Sequence, residues 1–500
     1  MHYYSILGNF TAMKSLNIGI IIILLFQTII GVNVIDYGHN WGGDFALYID
    51  ESRSIIEGHF NQFYEQNLFT VNNSHKTLAP IAEPIGTPLI LAPFLHIFGV
   101  NCYLFKFIML FFYVGISFLL WKILDFTKLN TQLLKFCTIL FIISYWEFAF
   151  LLETVNSDLP FTFFSLLSIY NFTKYNDSSE NRYLHCAIAT GTITYFIRDA
   201  GAALSATYMI IGFINYSKEK KVKKLLLFSL PVIAIILFKI TIPSFNINLI
   251  NDNITKFNYT RFISPLNTFY KITAQNILPL NRFYNSDIYI LLAWLTIAFG
   301  TINTSNIKTS EFRIFFCLFY SGYLAIHMLV GGCETRFFLI LEILSLILFC
   351  NGILNIFQNF RIPKIIISSF FLLLSILGAA KDLVRTNNWC FSENYVFRND
   401  AQSKQAQETW AFIKNHTSSN DVIFFRKPTV LRLFTKRNTC VFLEDSIFTN
   451  RPKSEFYQLD ATCGRPKDHT SSGLLERDTI YSNQDFKLIK LRFTKKINGG

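Results

Sequence analysis

The sequence predicts an all-α polytopic membrane protein of about eleven transmembrane helices, followed by a small C-terminal soluble α/β domain. Three observations predict it. Of the 500 residues, 51% are hydrophobic and only 16% charged, with a mean hydropathy of +0.34, more apolar surface than a water-soluble globule of this length can bury. Long apolar runs recur, separated by short polar stretches. After about residue 382 these runs cease and shorter, more polar segments replace them.

The net charge of +12 does not point to nucleic acid, because much of it lies in short loops between apolar runs, where Lys and Arg orient helices in a bilayer. The nine cysteines form no Cys-x-x-Cys pair, and Cys102, Cys137, Cys186, Cys317 and Cys350 fall inside apolar runs as small hydrophobes. Cys390, Cys440 and Cys463 lie beyond them, room for one disulfide whose pairing the sequence does not assign.

A hydropathy window of roughly 19 residues places spans near 15–35, 101–124, 133–152, 158–173, 183–198, 199–216, 224–243, 286–303, 312–331, 336–356 and 364–381. The first run is too long for a signal-peptide core and lacks a small-residue cleavage site, so it reads as a retained anchor. The run Lys218-Glu219-Lys220-Lys221-Val222-Lys223-Lys224 is the densest basic loop and is assigned to the cytoplasm by the positive-inside rule. Counting spans back puts the N-terminus inside. It also puts loops 36–100, 153–157, 244–285 and 332–335, with the tail, on the opposite side.

The 36–100 segment carries amphipathic stretches around Phe45 to Ile49 and Leu89 to Phe94 and is expected to lie along the membrane surface as short helices. Loop 244–285 is long, polar and aromatic, suited to folding over a site. In the tail, Gln402 to Lys414 has helical spacing and Asp421 to Phe425 reads as a strand. The resulting organisation is a transmembrane domain over 1–381 and a C-terminal domain over 382–500.

Charge is costly near a bilayer, so its gathering on one side marks a site. Asp44, Glu83, Asp158 and Arg198 all reach the outer side at helix ends. Each also has a plainer reading. Asp44 fits a solvated loop acid, Asp158 a helix N-cap, Glu83 a turn residue before Pro84, and His39 a surface histidine. Arg198-Asp199 and Glu334-Thr335-Arg336 fit local ion pairs.

The order of three motifs adds to this. Trp41-Gly42-Gly43-Asp44-Phe45 follows the first span, Glu83-Pro84-Ile85-Gly86-Thr87-Pro88-Leu89 comes next, and Asn156-Ser157-Asp158-Leu159-Pro160-Phe161 opens the fourth span. This order resembles the C-type (GT-C) membrane glycosyltransferases, and within them the bacterial branch of lipid A aminoarabinose transferases and protein O-mannosyltransferase-like enzymes. The resemblance covers roughly residues 15–360. It departs at Gly43-Asp44-Phe45, where many relatives carry Asp-Glu, and at Ile85, where many carry a second proline.

The resemblance implies a sugar donor linked to a polyprenyl phosphate, a hydroxyl acceptor on a lipid, glycan or protein, and inversion at the anomeric carbon. It implies a bacterial inner membrane, with the N-terminus cytoplasmic and the C-terminal domain outside. Asp44 is then the general base, with Glu83 and Asp158 completing the catalytic acids. Arg198 and Arg336, with Lys256 or Arg261, are the donor-phosphate cations. Trp41 and Tyr48 are candidates to line the substrate. Asp44, Glu83 and Asp158 are also candidate ligands for Mg²⁺ or Mn²⁺, and His39 would admit Zn²⁺. The rival function is a transporter or lipid-linked-substrate flippase, which would place ionisable residues along a path through the bilayer.

Overall fold

The computed structural model describes residues 18–35, 38–39, 41–74, 82–144, 151–241, 259–277, 287–302, 310–330, 334–390, 400–441, 454–461 and 475–493. It is a helical body with a small sheet near the C-terminus. The helices, in chain order, are α1 (Ile18–Val34), α2 (Gly43–Glu57), α3 (Phe60–Asn72), α4 (Gly86–Phe98), α5 (Cys102–Ile123), α6 (Gln132–Ile143), α7 (Asp158–Ser178), α8 (Asn181–Ile197) and α9 (Ala202–Glu219). They continue with α10 (Val222–Thr241), α11 (Tyr259–Ile277), α12 (Asp287–Ile302), α13 (Ser310–Val330), α14 (Leu339–Asn359), α15 (Lys364–Cys390), α16 (Lys404–His416) and α17 (Pro428–Thr435).

A helix occupies each of the eleven apolar segments read from the sequence. Two, Cys102–Phe126 and Thr335–Asn359 with their adjoining 3₁₀ turns, are long and apolar enough on their own to cross a membrane; shorter apolar helices such as Ile18–Val34 and Gln132–Ile143 accompany them. Several helices present bare apolar rows outward. On α1, Ile18, Leu25, Phe26 and Ile29 are each at least half exposed, as are Ile236, Leu237 and Ile240 on α10. Water would penalise these rows, whereas hydrocarbon does not.

Inside the bundle α7 packs on α8, α9 on α10, α6 on α15 and α12 on α14. The last pair crosses closely. A Cβ on Gly300 would collide with the Leu348 carbonyl, and one on Gly352 with that of Thr296, so two glycines let the backbones touch.

The 36–100 segment forms α2, α3 and α4, covering both amphipathic stretches singled out above. The 244–285 segment is not all loop. Residues 259–277 form α11, which buries Phe269, Ala274 and Ile277 against α13 and α14. Its polar and Asn-rich composition masks an apolar stripe recurring at helical spacing.

Five strands form one sheet: β1 (Val422–Phe424), β2 (Asn438–Cys440), β3 (Phe456–Ala461), β4 (Leu475–Ser482) and β5 (Phe486–Phe493), in the order β2-β1-β3-β5-β4. Strand β1 is parallel to both neighbours, with Ile423 opposite Thr439 and Tyr457. Strand β5 runs antiparallel to β3 and β4. Helix α15 continues past residue 381 to Cys390, and α16 begins with the Ser403 side chain accepting from the Ala406 N–H at 3.2 Å. Cys440 is buried in β2. Cys463 and the side chain of Cys390 lie outside the described residues.

The sheet region docks on α2, α3 and the segment before them through aromatic and polar contacts. Trp41 sits between Trp410 (6.1 Å between ring centroids), Phe425 (5.9 Å) and Phe486 (6.1 Å). The His39 N–H donates to Asp400 at 2.5 Å, and the Ala401 N–H returns to the His39 carbonyl at 3.2 Å. Arg432 of α17 reaches Asp50 of α2 at 3.2 Å, and Asn67 and Thr70 of α3 at 2.7 and 3.1 Å.

Candidate functional site

Four helix ends and one turn build the site. Asp44 lies in the first turn of α2, after Gly42 in extended conformation. Asp158 opens α7, Arg198 caps the C-terminus of α8, and Arg336 sits in the 3₁₀ turn Thr335–Phe338 leading into α14. A carboxylate at a helix N-terminus is favoured by the helix dipole.

Asp158 is not spent on capping. The Asn156 side-chain oxygen takes the N–H groups of Asp158 (3.1 Å) and Leu159 (3.2 Å). The Asp158 carboxylate is thereby left to pair with Arg198 and, at 3.8 Å, with Arg336. It is 3% exposed. Arg336 also donates to Asp44 at 3.0 Å and to Glu334 at 2.6 Å. The local Glu334–Arg336 pair foreseen as the plainer reading therefore exists alongside the long-range ones. Arg198 finds its ion-pair partner 40 residues away rather than next door at Asp199.

Phe337 separates and steadies the two guanidinium groups. Arg198 lies 4.5 Å and Arg336 5.3 Å from its ring centroid, and the Phe337 carbonyl accepts from the Tyr323 hydroxyl at 2.6 Å. The result is a pair of cations with their planes and donors pre-set, an arrangement suited to phosphate oxygens.

Glu83 is brought to the same place by α4. Gly86 packs directly on the end of α8, where a Cβ would stand 2.7 Å from the Phe196 carbonyl carbon and oxygen. Burial, chiefly, and the neighbouring Asp44 and Glu51 carboxylates hold the Glu83 carboxyl well above the usual range, with Arg198 pulling it back. Its backbone N–H donates to Glu51 at 3.2 Å. Glu51 is fully buried on α2, and burial raises its carboxyl to about 8. Tyr48, 3% exposed, stands one turn after Asp44, and burial with the Glu83 and Asp44 charges keeps its phenol protonated well above its ordinary value.

One cation comes from the sheet region. Lys427 lies in the loop after β1, at the carboxyl end of a parallel strand, where α/β sheets place ligand-binding loops. Burial and then Arg426 hold its ammonium below the usual lysine range, while Asp44 offsets them. Thr429, two residues on, lies against Gly43.

The structure thus gathers Asp44, Glu83, Asp158, Arg198, Arg336 and Tyr48. Trp41, as buried as Tyr48, is packed in the aromatic junction with the sheet region rather than beside these charges. His39 is neither at the surface nor placed as a ligand. It is fully buried, stacked on Phe45 at 4.3 Å, and burial lowers its imidazole to about 3. Lys256 and the side chain of Arg261 lie outside the described residues.

Sequence reading missed Glu51, Lys427, Phe337 and Tyr323. Glu51 had a signal, since Asp44, Tyr48 and Glu51 recur at helical spacing along one face. Lys427 had one in its place after a strand. Phe337 and Tyr323 had none, because apolar aromatics abound in every span.

Among the described residues, no three His, Cys, Asp or Glu side chains assemble as a metal site. Asp44 and Asp158 both pair with arginines, and no step is routed through a metal ion.

No family model and no curated protein matches the sequence. Among solved structures, the chain is similar to ArnT from Cupriavidus metallidurans bound to undecaprenyl phosphate, with a TM-score of 0.55 at 9% identity over 94% of this chain and 97% of that one. The apo state of the same ArnT aligns over the same shares with a TM-score of 0.46. At this identity the likeness is one of fold. The chain therefore has the fold of ArnT, and its ordered acids and proline segment resemble those of the C-type membrane glycosyltransferases.

Proposed function

We propose that this chain is an integral membrane glycosyltransferase that moves a sugar from a polyprenyl-phosphate donor to a hydroxyl of a lipid, glycan or protein acceptor, with inversion. The observation that carries the reading is the convergence of Arg198 and Arg336 on Asp158 and Asp44, in a fold whose solved example, ArnT, is bound to undecaprenyl phosphate.

In this reading all eleven apolar helices cross the membrane and the site faces outward. Helix α9 supports the placement. It begins at Ala202, beside Arg198, and ends at Glu219 in the basic run. At 1.5 Å per residue its 18 residues span roughly 27 Å, close to the thickness of the hydrocarbon core. The basic run then marks the cytoplasmic end and the site the other.

The donor phosphate enters between Arg198 and Arg336, displacing carboxylate from guanidinium, with Lys427 as a third cation. Displacement frees Asp44 from Arg336. Asp44 then takes the proton of the acceptor hydroxyl as that oxygen attacks the anomeric carbon from the face opposite the phosphate. The bond between the anomeric carbon and the phosphate oxygen breaks, and the phosphate leaves with the electron pair, its charge held by the arginines. Glu83 and Tyr48, both protonated, orient the acceptor by hydrogen bonds.

The test is transfer from a radiolabelled polyprenyl-phosphate sugar pool in membranes carrying wild type or Asp44→Asn at matched levels. Transfer lost in the variant supports the reading. Unchanged transfer removes Asp44 as base, and no transfer across a broad donor panel would advance the transporter reading.

A further inference from the structure

A second, separate feature lies at the seam where α17 docks on α2 and α3. Two cavities meet there, of about 540 Å³ and about 80 Å³, and both are lined by Arg53 and Lys436. The larger adds Lys414 and Arg437 over an apolar floor of Val100, Leu433 and Phe434. The smaller adds the buried Arg432, with Asp50 and Glu57. Five cations thus face two carboxylates.

Charge there is poorly balanced. Asp50 is shared between Arg53 (3.5 Å) and Arg432 (3.2 Å). Arg432 is 2% exposed, yet its Nη2 finds no hydrogen-bond partner among the described residues. A buried guanidinium donor without an acceptor is costly and calls for one. Arg437 spends its donors on Thr417, Thr435 and Lys414, which leaves Lys436, Lys414 and Arg53 to face the cleft. Lys436 is held in the left-handed region (φ 54°) as the residue that ends α17, a conformation that glycine would adopt more readily. That backbone carries the ammonium at the junction of the two cavities.

We infer that this cleft is a phosphate-binding site outside the transfer site, built to hold a phosphate monoester or diester with a sugar-sized or headgroup-sized body on the apolar floor. Phosphate oxygens would accept from Lys436 and Arg53, above the buried Arg432 charge, and the bound ligand would bridge the sheet region to α2 and α3. The inference does not rest on the transferase reading.

The experiment uses the full chain purified in detergent, with no donor or acceptor present. Inorganic phosphate is titrated by calorimetry and thermal shift, beside soluble dihexanoyl phosphatidylglycerol, with dihexanoyl phosphatidylcholine as control. Saturable binding of inorganic phosphate, weakened at least tenfold in the double variant Arg53→Ala and Lys436→Ala and retained in Lys436→Arg, supports a site for free phosphate esters. Variant-sensitive binding of phosphatidylglycerol alone supports it with the lipid headgroup as the source. Absence of both, or binding equal in the double variant, overturns it. Both substituted residues keep clear of the acids and arginines of the transfer site, so transfer by the double variant is an independent readout.

Discussion

Arg336 holds Asp44 at 3.0 Å across 292 residues of sequence, while its remaining nitrogens face Asp158 at 3.8 Å and Glu334 at 2.6 Å. One guanidinium therefore serves three carboxylates, and any phosphate that enters must compete with them.

That competition separates two substitutions. Asp44→Asn removes the base and should lower kcat by about 10²–10⁴-fold, with donor binding intact or tighter because Arg336 is released. Arg336→Ala should raise the donor KM and lower kcat together. Steady-state kinetics on detergent-purified protein checks both, and a kcat unchanged by Asp44→Asn would remove the assigned role.

Gly86 offers a test of positioning. Because a Cβ would press on the Phe196 carbonyl, Gly86→Ala should push α4 off α8 and carry Glu83 away from Arg198. The expected stability loss is about 1–3 kcal/mol. Transfer should fall by about 100-fold, the scale of an ångström of misplacement. Equal loss in the exposed neighbour Leu89→Ala would mean that α4 matters only as packing.

Glu51 gives a pH signature. Its carboxyl is raised from 4.5 to about 8 in the folded protein, so the folded state binds a proton that the unfolded chain gives up. Stability on this account is full below about pH 4.5, falls as pH rises, and levels off above about pH 8. Glu51→Gln keeps the acceptor for the Glu83 N–H and removes the titration. The variant should therefore gain stability over wild type progressively between pH 5 and 8, by on the order of a few kcal/mol at the upper end, read as a widening difference in melting temperature. Parallel curves would refute it.

The Arg432–Asp50 pair fastens the sheet region. Arg432→Met alone leaves Asp50 with only Arg53, at 3.5 Å, in a mostly buried setting and should cost up to about 3–5 kcal/mol. Adding Asp50→Leu should recover much of it, as replacing both members of a buried pair often does. Thermal melts of the two single variants and the double variant give the coupling directly.

Much of this was legible in the sequence, for identifiable reasons. Apolar windows located the helices because hydrocarbon demands long apolar runs. The acids at 44, 83 and 158 stood out because charge is rare beside such runs. The 259–277 helix was hidden by its polar majority, since its buried stripe is narrow. Asp158 read both as a catalytic acid and as a cap, and Asn156 takes both N–H groups in its place, a side-chain choice that sequence leaves open. Trp41 looked like a sugar platform because it neighbours Asp44 in sequence. Its φ of 61° turns it into the junction, a backbone feature that no pattern of side chains announces.

The pairing of His39 with Asp400 spans 361 residues, and it bears on how the protein is made. The segment holding His39 and Trp41 emerges early in synthesis, but its partners Asp400 and Trp410 arrive only after α15 is complete, and the Asp44 partner Arg336 only with the turn before α14. Asp44 must wait for nearly the whole chain before its surroundings exist. A ribosome-bound or truncated chain ending before residue 400 carries every acid of the site without the domain that closes over it. Such a product is expected to be inert and readily degraded, so that competence appears only with the finished polypeptide.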